Sequence, residues 1–176
     1  YESNARHLAP LLRELGIPWT VFVLVGSLGR TNRWDLPLTG TRERHLTKDE
    51  IVQLSEEGVT IGSHTMTHRD LCGLGDAALA DSLRSSREEL EQTTGRPVRT
   101  VSYPRGRVDV RVARAAERAG YSIGFAAARV PALPASLERF AVPRAGIYAP
   151  DQLPGLFAWT AATGPRCLSR ARTSLA

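Results

Sequence analysis

Residues 19–25, WTVFVLV, form a continuous apolar run set off by Gly16 and Pro18. A strand with one wet face alternates apolar and polar residues, whereas an unbroken run reads as a strand covered on both faces, the pattern of a parallel sheet. Upstream, Leu8, Leu11, Leu12 and Leu15 stand at i, i+3, i+4 and i+7, a helical spacing, and Pro10 marks either the start of that helix or a kink in it. Downstream, residues 27–46 carry Gly, Asn, Asp and Pro without periodicity and read as a long loop. Thr47 and Glu50 form a capping-box pattern that opens a helix closed by Gly58. VTIGS follows as the next strand. Asp76 is placed as the cap of a longer helix with Leu79, Leu83 and Leu90 on one side and Gly95 at its end. VRTVSYP is a further strand, Asp109 to Ala119 a further helix ended by Gly120, and YSIGFAA and RFAVPRAGIY two more strands, with a last helix starting at Asp151. Strand and helix thus alternate at short spacing, the pattern of a parallel sheet with helical crossovers, open or closed into a barrel.

The chain's 176 residues, 42% of them apolar, suit one domain with a real core. Its net charge of +5 comes mostly from arginines scattered among acidic residues. So diffuse a field attracts anions weakly, and no DNA or RNA motif accompanies it, so nucleic acid is not the expected partner. Cys72 and Cys167 lack CxxC spacing, which argues against a disulfide scaffold and a cysteine metal site. No apolar run reaches the ~18 residues of a membrane helix.

Three strand ends carry unusual residues: SH at 63–64, YP at 103–104 and PR at 143–144. All are carboxyl ends, the edge at which parallel α/β folds bind ligands. His64 and His68, at i and i+4, would share one face if the chain turns helically after the strand, close enough to hold one ion. Two histidines are half a catalytic zinc site, and an isolated HxxxH is equally at home as polar loop.

The order SHTMTHRDL, then SREELEQTTGRPVRTVSYPRG, then ERAGYSIGF and VPRAGIY, resembles the bacterial polysaccharide deacetylases of the NodB-homology type. The likeness runs from NARHLAPLLRELGIPWTVFVLVG to about Tyr148. It implies a distorted (β/α) barrel of about seven strands and a metal-dependent hydrolase that removes N-acetyl groups from a glycan. The divalent metal, usually zinc, would take His64 and His68 as ligands. It further implies that Arg105, before the glycine of YPRG, supplies a backbone N–H to the oxyanion, and that Arg144 orients the catalytic carboxylate in place of an arginine for which this chain has Ser102, the alternative for Arg144 being a side chain that reaches solvent with its stem on the core. Tyr103 and Pro104 read as a rigid strand-end turn that either shapes the substrate groove or packs in the core. The family's strand ending in two aspartates and a glycine is expected just ahead of Tyr1, so the third metal ligand and the general base are assigned outside this chain. Asp70 reads as a loop cap, Ser63 as either a loop-holding hydroxyl or a backbone partner, and His45 as a solvated loop residue, while the general acid has no assigned residue. Residues 1–163 are expected to form the domain and 164–176 a flexible basic tail. Export or a cell-surface location is a leaning from the resemblance alone. The alternatives are a catalytically inactive carbohydrate-binding relative and, lower, a basic nucleic-acid-binding domain.

Overall fold

The computed structural model describes residues 1–32, 42–127 and 132–144. The helix expected from Asp151, the tail at 164–176 and the middle of the loop at 27–46 lie outside them. The described strands are β1 (Thr20–Val23), β2 (Thr60–Ser63), β3 (Thr100–Ser102), β4 (Ile123–Ala127) and β5 (Val142–Arg144), all parallel and in the sheet order β1-β2-β3-β4-β5. A sheet whose spatial order equals its chain order is wound in one direction, as in a barrel; a doubly wound sheet reverses.

The crossovers α2 (Lys48–Glu56), α3 (Asp76–Thr94) and α4 (Val110–Arg118) pack side by side, α2 on α3 and α3 on α4. They cover one sheet face, burying Val21, Val23, Ile61, Val101 and Ala126 beneath Ile51, Leu54, Leu79, Leu83, Leu90 and Val112. Local chemistry sets their ends. Thr47 and Glu50 form the expected reciprocal capping box, Asp109 accepts from the Val112 N–H, and Gly95 takes the left-handed C-cap at φ 65°. Asp76 departs from expectation: it is the first residue of α3, with Gly75 at the cap, and pairs with Arg111. Pro10 falls in the first turn of α1 (Ala9–Glu14), preceded by a π-helical turn, Asn4–Leu8, where the ladder reaches past the nitrogen that cannot donate. The leucines of this N-terminal stretch are not core. Leu8, Leu11 and Leu15 are exposed, and only Ala9 is buried.

The other face is concave. Phe22 on β1 and Phe125 on β4 are separated by three strand spacings, about 14 Å in a flat sheet, yet their rings meet edge-on at 5.4 Å. The guanidinium of Arg144, on β5, lies 5.2 Å from the Phe22 ring, so the sheet curls until its two edge strands face each other across the interior. Gly62 permits this: a Cβ there would stand 2.6 Å from Phe22 ring carbons and 2.7 Å from Thr100 Oγ1. Five of the expected strands, curved and wound one way, therefore fit the barrel. Phe22, Phe125 and Val142 remain only half-buried on this face, and Ile123 is 38% exposed.

Candidate active site

His64 follows the last residue of β2, and its amide donates to the Val23 carbonyl at 2.7 Å. By strand alternation its ring shares the concave face with Gly62. His68 returns to it, the two rings standing 5.0 Å apart between centroids and tilted by 56°. The juxtaposition is not the helical turn expected from the spacing. Residues 64–70 form a loop, and positive φ values at Thr65 (68°) and His68 (51°) fold it back. Gly26 fastens the loop, donating to the Met66 carbonyl at 2.9 Å. A Cβ at Gly26 would lie 2.3 Å from that oxygen. Gly26→Ala is therefore expected to cost about 1–3 kcal/mol, readable as a lower urea midpoint. An unchanged midpoint would show that the loop yields freely.

His64 Nδ1 meets the Ser102 carbonyl at 2.6 Å. A carbonyl can only accept, so Nδ1 carries the proton and Nε2 presents its lone pair to the cleft, the tautomer and anchoring that metal-ligating histidines use. Burial pushes the His64 pKa down to about 4, the Ser102 hydrogen bond opposes this, and the charges of His68 and Arg144 lower it further. The ring is thus neutral wherever the protein is near neutral pH. A sign follows for the metal-free protein. Between the ordinary value of 6.5 and about 4 the unfolded chain takes up a proton that the folded one refuses, so stability present above pH 6.5 drains away as pH falls. The loss is at most about 3 kcal/mol. Thermal melts across this range should fall more steeply in the parent than in His64→Gln, and parallel slopes would contradict the burial of a neutral ring.

Both histidines line a cleft of about 230 Å³ together with Tyr1, Asn4, Phe22, Leu28 and His45. His45 corrects an expectation: it is not solvated but 8% exposed, packed against the Tyr1 ring at 4.8 Å. Sequence gave no sign of this, because burial there depends on the N-terminal segment folding over it.

Arg144 ends β5 on the same edge. Its guanidinium donates to the Ser102 hydroxyl and lies over the Phe22 and Phe125 rings, at 5.2 and 5.9 Å. Burial lowers its pKa. Ser102 thus meets His64 through its carbonyl and Arg144 through its hydroxyl, and the arginine occupies the space beside position 102. Arg105 sits at φ 58°, ψ 8° in the turn Pro104–Gly106, exposed, and the turn's own hydrogen bonds come from the Gly106 and Arg107 amides rather than from Arg105.

Of the two readings of Tyr103 and Pro104, groove or core, their burial favours the core. Ser102 faces the concave side, so alternation sends Tyr103 to the helix side, where it is 1% exposed and its Oη would stand 2.2 Å from a Cβ at Gly124. Pro104 is fully buried beside it. They brace the turn from within. Asp70 caps the short turn Leu71–Gly73, accepting from Cys72 N–H at 3.1 Å, and pairs with Arg107.

Two imidazoles 5.0 Å apart between centroids, one of them with Nδ1 spent on a carbonyl and Nε2 left to the cleft, fit part of a zinc site. Among the described residues no group of three His, Cys, Asp or Glu completes one. No described helix is long and apolar enough to cross a membrane.

A curved, singly wound parallel sheet with paired histidines and an arginine at its carboxyl edge defines a barrel-type α/β protein with a histidine-lined cleft at its mouth. The polysaccharide deacetylase family model matches residues 1–124, and the chain belongs to that family. YxkH of Bacillus subtilis is 27% identical over 124 residues, 70% of this chain and 40% of YxkH, so the chain spans well under half of that relative's length. Streptococcus pyogenes deacetylase PplD, solved in complex with acetate, matches with a TM-score of 0.71 at 18% identity over 89% of this chain and 64% of its own. IcaB from Ammonifex degensii matches with a TM-score of 0.69 at 22% identity over 89% of this chain and 67% of its own. At these identities the likeness of the two solved structures is one of fold.

Proposed function

We propose that this protein is a metal-dependent hydrolase that removes acetyl groups from an N-acetylated glycan and releases acetate. The observation that carries the reading is the convergence of His64 and His68 at the carboxyl edge, with His64 Nδ1 spent on the Ser102 carbonyl and Nε2 left to the cleft. A divalent ion, zinc on the family resemblance, would be held by these two rings and by an aspartate from a segment ahead of Tyr1, whose ring lines the same cleft. Such an ion, when bound, polarises the acetyl carbonyl and acidifies a water.

The other roles fall to the chain. The Arg105 N–H, not used by its own turn, donates to the oxyanion. Arg144, held by the Ser102 hydroxyl and two aromatic faces, orients the catalytic carboxylate, which is assigned to the same upstream segment. Tyr103 and Pro104 act on the substrate only through the turn they brace.

Zinc content and acetate release from an N-acetylated oligosaccharide, measured on the intact protein, test the reading. One zinc per chain is expected, with activity lost on chelation and regained on adding zinc. Glycan binding with neither zinc nor acetate release would instead support the non-catalytic carbohydrate-binding reading, which the lack of a third ligand among the described residues favours.

A further inference from the structure

The loop joining the two histidines is strained at Thr65, a β-branched residue at φ 68°, where the left-handed backbone crowds Cβ against the following carbonyl. Its side chain does not hold it there. Thr65 is 1% exposed, and its hydroxyl has no hydrogen-bond partner among the described residues. The backbone is held instead. The Thr65 N–H donates to Ser63 Oγ at 3.0 Å, and the Thr65 carbonyl accepts from Val25 N–H at 3.1 Å. Ser63 Oγ in turn donates to Ser86 Oγ at 2.9 Å, and Ser86 Oγ donates to the Leu83 carbonyl at 3.1 Å. Tyr121 Oη donates to the same carbonyl at 3.0 Å and lies 3.2 Å from Ser86 Oγ.

Ser63 and Ser86 are completely buried and Tyr121 is 4% exposed. Each serine hydroxyl accepts one hydrogen bond and donates one, so the chain has a single direction, from the Thr65 amide in the histidine loop to the Leu83 carbonyl in α3. Dry, unidirectional chains polarise their members, and deleting one link strands buried partners.

We infer that Ser63, Ser86 and Tyr121 are positioning residues for the histidine pair: their relay fixes Thr65 in the left-handed conformation, and that conformation brings His68 back against His64. This rests on the metal-site reading above but assigns the alignment of the site to a buried relay reaching two other elements, α3 and the start of the β4 segment. The physical reason is that a threonine needs outside support at positive φ, whereas a glycine does not.

The test is a double-mutant cycle in the intact protein with Ser63→Ala, Thr65→Gly and the double variant, read by zinc affinity against a competing chromophoric chelator and by hydrogen exchange of the Thr65 amide without metal. Ser63→Ala alone is expected to weaken zinc binding about tenfold or more, the scale of lost support behind a metal ligand, and to speed exchange at Thr65. In the Thr65→Gly background the same change is expected to cost less than about threefold. Equal losses in both backgrounds, or none in either, overturn the inference. Should Ser63→Ala fail to fold, Ser86→Ala, which removes the next link of the relay, carries the same comparison, with a smaller loss that again shrinks in the glycine background. If the parent takes up no zinc, the metal reading itself has failed, and the exchange arm decides the relay alone: undiminished protection of Thr65 in Ser63→Ala would end it.

Discussion

His64→Ala is expected to abolish stoichiometric zinc and to lower acetate release by about a thousandfold or more, and His68→Ala to do the same. The magnitude follows from the chemistry assigned to the pair. Lewis-acid stabilisation of a developing oxyanion supplies several kcal/mol, and about 4 kcal/mol corresponds to roughly a thousandfold in rate. Both rings stand at the mouth of the cleft, and the core lies on the opposite face of the sheet. Inductively coupled plasma analysis, an acetate assay and a melt on each variant separate the effects. A variant that has lost its zinc, keeps its melting temperature and still deacetylates within tenfold of the parent would remove the histidines from the reaction.

A second large effect is expected from a carboxylate. Residues 1–176 should hold zinc weakly, through imidazoles only, since no third ligand joins them among the described residues. A chain in which a strand ending in two aspartates precedes Tyr1 should bind zinc at least about a hundredfold more tightly. Structural zinc sites bind with roughly 10–16 kcal/mol over four ligands, or about 3 kcal/mol each. The geometry has room for such a strand. Among the described residues β1 pairs only with β2, and the concave face leaves Phe22 and Phe125 half-buried, whereas parallel sheets are ordinarily covered on both faces. Melting temperature, cooperativity and zinc affinity should therefore rise together. Should residues 1–176 alone melt cooperatively at high temperature, bind zinc tightly and release acetate, the third ligand and the base would both lie within the chain.

The strands were legible because their chemistry is local. WTVFVLV is an apolar run set between Pro18 and Gly26, VTIGS starts directly after the helix-closing Gly58, and the Thr47–Glu50 box marks its helix by side chain alone. The histidine pair was legible for a partly wrong reason: the i, i+4 spacing suggested a helical turn, but the rings meet through left-handed residues in a loop. For Tyr103, counting along the strand decides between groove and core, since Val101 and Tyr103 share a face that Ser102 does not. Other features depend on contacts distant in sequence. Nothing around His45 announces that Tyr1 will cover it, and Gly62 shows its purpose only once Phe22 leans across it. Ser86 reads as an ordinary polar residue in a helix until α3 brings it to Ser63 and Tyr121.

X-ray absorption at the zinc edge, on the intact zinc-loaded protein and on its His64→Ala, His68→Ala double variant, reads the ligands of the ion itself. Two imidazole nitrogens at about 2.0–2.1 Å with oxygen completing the shell are expected, with loss of the bound zinc in the double variant. Zinc held without imidazole, or the same spectrum from both proteins, would contradict ligation by the histidine pair.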